Sequence, residues 1–86
     1  SDLRYKQNIE RIPSALEKIN QISGVSYKWD LAKDPNLQLK DRTELGVIAQ
    51  EVEKVFPEAV NSPADGGMKT VAYTMLIAPL IEAVKE

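Results

Sequence analysis

The chain has 86 residues, with 11 basic and 13 acidic side chains giving a net charge of −2, and it contains neither histidine nor cysteine. Such a length makes one domain, near the size at which a small core needs disulfides, metal or assembly to help it. Without cysteine or histidine, disulfides and zinc-type centres are excluded and no metal or cofactor is expected, which leaves oligomerisation; the acidic balance gives no general attraction to nucleic acid or anionic membrane.

No apolar run approaches the ~20 residues of a membrane-spanning helix, and no signal-peptide pattern precedes the fold, so a soluble domain is expected. Ser1-Asp2-Leu3-Arg4-Tyr5-Lys6 opens the chain with a hydroxyl and an amine close together. A serine becomes a useful nucleophile when a neighbouring base takes its proton, and lysine is the base left in a chain without histidine. The separation of Ser1 and Lys6 fits neither the i, i+4 neighbours of a helix nor the i, i+2 face of a strand, so the segment must bend to join them. Read alone, these six residues are a solvated terminus.

Gln7–Ile12 reads either as a short strand or as an extended lead-in, with Ile9 and Ile12 as its apolar anchors. A helix is expected over 14–23: Ser14 and Glu17 have capping-box spacing, Leu16, Ile19 and Ile22 mark one face, and Gly24 follows as the residue that closes it. Val25, Tyr27 and Trp29 alternate with Ser26 and Lys28, the period of a half-buried strand. Tyr27 and Trp29 are expected to pack in the core; a base-stacking platform is the alternative, but no basic stripe interleaves with them. From Asp30 to Glu44 the chain is polar, with Asp34-Pro35-Asn36 as a turn signal; it reads as a loop or, given the alternation of Leu37 and Leu39, as a protruding hairpin arm.

Leu45–Ala49 reads as a second strand in which Gly46 marks a close backbone approach or a bulge. Helical spacing follows over 50–56, with Val52 and Phe56 four apart and Pro57 closing it; Glu51 and Glu53 favour the helix dipole. Ala59-Val60 and Met68–Tyr73 flank Asp65-Gly66-Gly67, a hairpin signal, and the glycines lack the spacing of a phosphate-binding loop. Thr74 is placed to cap a last helix over 75–86, whose start Pro79 should break or kink. Leu76, Ile77, Leu80, Ile81 and Val84 form an apolar band on it wider than one small sheet would cover, so the helix reads as the element that meets its symmetry mates, with Ile77, Leu80, Ile81 and Val84 as candidate interface residues, against the plainer role of packing only on its own sheet.

Three blocks thus stand in order: Ser1–Lys6 with Asn8-Ile9; Gly46–Val52 with Phe56–Val60; and Val71-Ala72-Tyr73 leading into Leu80–Glu86. Together they resemble the intramolecular chaperone auto-processing domain at the C-terminus of phage tailspikes and tail fibres, endosialidases included, with related copies in myelin regulatory factor proteins. The resemblance covers essentially the whole chain. It implies a domain that drives homotrimerisation and folding of an upstream fibre or spike polypeptide and then cuts itself off before the motif serine. Carried over, Ser1 is the nucleophile and Lys6 the general base of a single-turnover, self-cleaving serine endopeptidase, and Arg4 belongs to the motif. A chain beginning at Ser1 is what the released product would be.

A free lysine titrates near ~10.4, so Lys6 must be desolvated or set beside another cation to act as a base at neutral pH. Arg4 is either that cation, or the holder of a carboxylate such as Asp2, or a support for the bend; Asp2 is expected to point away from Lys6. Gln50, at the strand-to-helix junction, is a candidate for lining the site, against the plainer role of a helix-start hydrogen bond. The resemblance places the precursor in the host cytoplasm during virion assembly, destined for the tail. The alternative is a trimerisation module that does not cleave. A third reading, nucleic-acid binding through Arg4, Lys6 and Arg11, is opposed by the net charge. The expected architecture is α+β: a small antiparallel sheet carrying helices 14–23 and 50–56, with the 75–86 helix at or near a threefold axis.

Overall fold

A computed structural model describes residues 1–86 and shows an α+β fold built from two separate two-stranded antiparallel sheets and three short helices. A 3-10 turn, Leu3–Tyr5, opens the chain. Residues 7–13 then run without regular structure, so the lead-in alternative holds over the strand. Helix α1 is Ala15–Ile19, shorter than the expected 14–23. Ser14 is left-handed at φ 51° and its hydroxyl makes no capping bond, so the capping box does not form. At the far end the amides of Gln21 and Ile22 donate to carbonyls three residues back, tightening the turn before Gly24, which keeps a negative φ.

Strand β1, Val25–Lys28, pairs with β2, Thr43–Gly46, placing Tyr27 opposite Glu44 and Val25 opposite Gly46. The long polar segment between them, with its 3-10 turn Pro35–Leu37, is therefore the connection of a hairpin arm. The second strand lies earlier than the expected 45–49. Its ladder stops at Gly46 because the next amide, that of Val47, donates instead to the Tyr73 hydroxyl at 3.2 Å, while Val47 turns into the core. Tyr27 and Trp29 are half-buried and meet edge to face at 5.2 Å, packing on each other rather than within the central cluster.

Helix α2, Ala49–Val55, begins at once and ends where Pro57 starts a further 3-10 turn, Pro57–Ala59. Strands β3, Val60–Asn61, and β4, Thr70–Val71, form the second hairpin, and the left-handed Gly66 (φ 79°) supplies a turn that glycine adopts without a Cβ penalty. The last helix is α3, Ile77–Lys85, preceded by a 3-10 turn at Tyr73–Leu76. Thr74 lies inside that turn and makes no side-chain cap. Pro79 is the third residue of α3, where the missing amide is one that would lack an intrahelical partner anyway. The break expected from Pro79 thus appears as the change from 3-10 to α.

The core is small: Val52, Phe56, Ala59 and Leu76, flanked by half-buried Ile12, Ile19, Ile22, Val47, Val55, Val60 and Val71. The one small antiparallel sheet expected is divided into two hairpins, and helix-on-helix packing is added to them. α1 and α3 lie together, and each buries an alanine there, Ala15 and Ala83. Only 7 residues are buried in all, and the chain exposes 7058 Å². A folded monomer of this mass exposes about 5,100 Å², so roughly 2,000 Å² stands in excess. The radius of gyration, 15.6 Å, likewise exceeds the about 12 Å of a globular domain of this length.

Candidate active site

A 3-10 turn, Leu3–Tyr5, bends the Ser1–Lys6 segment. Asp2 builds it: one carboxylate oxygen accepts from the Arg4 amide at 3.0 Å, and the Lys6 amide closes the turn on the Leu3 carbonyl at 3.1 Å. The Arg4 guanidinium returns to the same carboxylate, donating from Nη2 at 2.8 Å and from Nε at 3.2 and 3.3 Å. Arg4 therefore holds Asp2, one of the three roles open to it from sequence. The clasp keeps the Asp2 carboxyl below its ordinary range, mainly through the Arg4 side chain and secondarily through its amide. It also turns Asp2 away from duty as a counterion for Lys6, as expected. The guanidinium sits 5.8 Å from the Tyr5 ring centre.

Ser1 and Lys6 are both exposed in the single chain, and no hydrogen bond joins their side chains. Leu3 and Tyr5 between them are exposed as well. Gln50, on the first turn of α2, is exposed and belongs neither to this turn nor to a side-chain hydrogen bond. The Glu51 and Glu53 carboxylates do more than favour a helix dipole. Glu51 accepts from the Ser23 amide at 2.9 Å, tying the end of the α1 region to α2.

Glu53 anchors a cluster that sequence spacing does not reveal: the Lys69 ammonium donates to Glu53 at 3.0 Å and to the Ser62 hydroxyl at 2.8 Å, and Ser62 donates to Glu53 at 2.9 Å. These contacts hold the Glu53 carboxyl below its ordinary range, Lys69 contributing most and Ser62 next. A serine and a lysine meet here, but both are spent on the Glu53 carboxylate, to which each donates. The cluster pins the second hairpin to α2. Its members come from three segments, and no local motif announces it.

Two of the sequence blocks meet through Tyr73. Its hydroxyl accepts from Val47 and lies where a Cβ on Gly46 would fall, 2.6 Å away, with the Tyr27 ring at 3.1 Å. Gly46 thus marks a close approach, the first of the two readings its position allowed. The Tyr27 hydroxyl is pushed up by burial and then by Glu44 and Tyr73. Beside the lead-in segment lies an open groove of about 440 Å³, bordered by Asn8, Arg11, Ile12, Lys18, Phe56 and Met75. The Lys18 ammonium stands 5.7 Å from the Phe56 ring centre at its edge.

The four apolar residues named from sequence as an interface stand uncovered on α3: Ile77 is 56%, Leu80 47%, Ile81 52% and Val84 85% exposed. The adjoining face is spent on the fold, with Pro79 and Ala83 of the helix and Leu76 of the turn before it buried.

Residues 1–61 match a family model described as "Chaperone of endosialidase", which carries a peptidase family name. The chain is 41% identical to the long tail fiber protein Gp37 of Enterobacteria phage K3, over 99% of this chain and 7% of that protein. It is equally similar to Gp37 of Enterobacteria phage T2, covering 6% of it, and 37% identical to Gp37 of Enterobacteria phage M1, covering 35%. The chain therefore spans less than a tenth of the length of the first two. These alignments extend through α3, which the family match does not reach.

Proposed function

The chain belongs to the chaperone-of-endosialidase family, and on that footing we propose that it is a C-terminal intramolecular chaperone which trimerises, brings an upstream tail fibre or tailspike into register, and then releases itself by cutting the bond before Ser1. The observation that carries the assembly half is the uncovered α3 band on a chain that exposes roughly 2,000 Å² more than a monomer of its mass should. Burial of that band against two further copies supplies the core this small fold lacks. Closed threefold packing of one patch on its copies limits assembly to a defined oligomer.

In the cleavage step the Ser1 Oγ attacks the carbonyl carbon of the preceding residue while its proton passes to Lys6 Nζ. Collapse of the tetrahedral intermediate breaks the C–N bond, and the Ser1 amine leaves with a proton. An ester joins the upstream carbonyl to Ser1 Oγ. Water hydrolyses it, freeing an upstream carboxylate and restoring the hydroxyl. The oxyanion formed at each stage requires donors about 3 Å away. Ser1 and Lys6 are exposed and apart in their hydrogen bonding within one chain, so the pair becomes competent when neighbouring copies bring them together and exclude water from Lys6. Cleavage then reports on correct assembly. Once the chaperone has left, the folded fibre cannot retrace its path, and its persistence becomes kinetic. This reading places the precursor in the host cytoplasm and its mature part in the virion tail.

The same exposure of Ser1 and Lys6 favours a second reading, in which the domain trimerises without cutting. A precursor carrying its natural upstream segment separates the two. Under the first reading the wild-type precursor loses the mass of this domain after assembly, and Ser1→Ala stays full length while still trimerising. Efficient cutting of Ser1→Ala would remove Ser1 from its role, and a wild-type trimer that never changes mass would establish the non-cleaving module.

A further inference from the structure

Two residues other than glycine hold left-handed backbone on either side of the lead-in segment: Asn8 at φ 55° and Ser14 at φ 51°. Between them the chain lies along two grooves. One is bordered by Phe56 and Met75, and the other by Ala78, Ile81 and Glu82 of α3, with Glu10, Arg11 and Ile12 common to both. Ile12 alone packs against the core cluster. Residues 1–13 form hydrogen bonds only among themselves, so the clasped Ser1–Lys6 turn is joined to the domain by covalent chain and by the Ile12 anchor.

We propose that Asn8 is a positioning residue for the cleavage chemistry: its left-handed backbone sets the direction in which the Ser1–Lys6 turn leaves the Ile12 anchor, and so where the reacting hydroxyl and amine are presented. The inference rests on the assignment of Ser1 and Lys6 above. Asn8 lies two residues beyond Lys6, and no other left-handed residue intervenes before Ile12. A residue that resists positive φ would turn the chain the other way at this point and redirect the clasped unit, whose residues Asp2 to Lys6 are hydrogen-bonded to one another. Asparagine, aspartate and glycine accept this conformation most readily among the amino acids, whereas a β-branched residue is a true outlier there. The Asn8 side chain makes no hydrogen bond, so its backbone preference is what the position uses.

The test uses the full precursor with its natural upstream segment and compares Asn8→Gly, Asn8→Asp and Asn8→Val with wild type. Trimer mass is measured first, then the rate of cleavage within the trimer. Asn8→Gly and Asn8→Asp should cut within about threefold of wild type, and Asn8→Val should slow cutting about tenfold or more, the size of a left-handed penalty expressed as a rate. Amide exchange of α1 and α3 should be unchanged in all three, which a general loss of fold would not allow. An Asn8→Val trimer that cuts at the wild-type rate overturns the inference while leaving Ser1 and Lys6 in place. So does an Asn8→Gly trimer as slow as Asn8→Val, because the amide side chain would then be what matters. A wild-type trimer that never cuts removes the cleavage reading, and the inference with it.

Discussion

Replacing Val84 with aspartate tests whether the exposed face of α3 is an assembly surface. Val84 is 85% exposed in the single chain, so the change should alter the isolated fold by no more than about 0.5 kcal/mol. In a threefold assembly the same side chain is withdrawn from water three times over. Burying a valine is worth about 1.5–3 kcal/mol, hence about 4–9 kcal/mol per trimer. At about 1.4 kcal/mol per factor of ten, the trimer association constant should fall by three to six orders of magnitude. Aspartate adds three like charges to the loss, so this is the lower bound. Sedimentation equilibrium over a wide concentration range reads the constant directly, and circular dichroism of the dissociated chain checks that α3 still forms. Val84→Ala should fall between the two. A Val84→Asp chain that assembles with the wild-type constant would refute the α3 interface. A chain whose helix content collapses before assembly would show that Val84 serves the fold itself.

Two further outcomes follow from contacts within the chain. Gly46→Ala forces a Cβ to within 2.6 Å of the Tyr73 hydroxyl, so it should destabilise by about 1–3 kcal/mol in denaturant titration. Tyr73→Phe removes the opposing oxygen, and the double variant should therefore lose less than the sum; strict additivity would mean that the two sites do not meet. The lowered Glu53 carboxyl contributes stability that is present above the ordinary carboxylate range and is lost as pH falls through the folded-state value. Glu53→Gln should flatten that acid-side loss, seen as a shallower decline of the urea midpoint below about pH 4.3, and an unchanged decline would show that the Lys69–Ser62 cluster is not formed in solution.

The element types were largely written in local pattern. The alternation of Val25, Tyr27 and Trp29 is a strand because period two suits a half-buried ribbon, and the 50–56 helix follows from Val52 and Phe56 lying four apart. The Asp65-Gly66-Gly67 turn and the break at Pro79 follow from what single residues permit in their own backbone. The apolar band of α3 was also readable, since hydrophobic spacing on a helix needs no knowledge of neighbours. The resemblance of the blocks to a chaperone family reached further still, because order and spacing of several short motifs carry information that none of them holds alone.

Tertiary contacts decided the rest. Ser14 and Glu17 have the spacing of a capping box, yet Ser14 turns left-handed without a capping bond, and the helix ends at Ile19 where the Gln21 and Ile22 amides switch to carbonyls three residues back. The end of β2 is set by Tyr73, 26 positions beyond Val47, which takes the amide that would have continued the ladder. Arg4 could have served Lys6 or Asp2 by sequence, and the clasp chose Asp2 because Asp2 caps the 3-10 turn, its carboxylate accepting from the Arg4 amide and guanidinium two residues on. The six opening residues contain the hydroxyl and the amine that the proposed cleavage would use, but they do not contain its geometry. Proximity and desolvation belong to packing among distant segments and, on the reading advanced for this chain, among its copies.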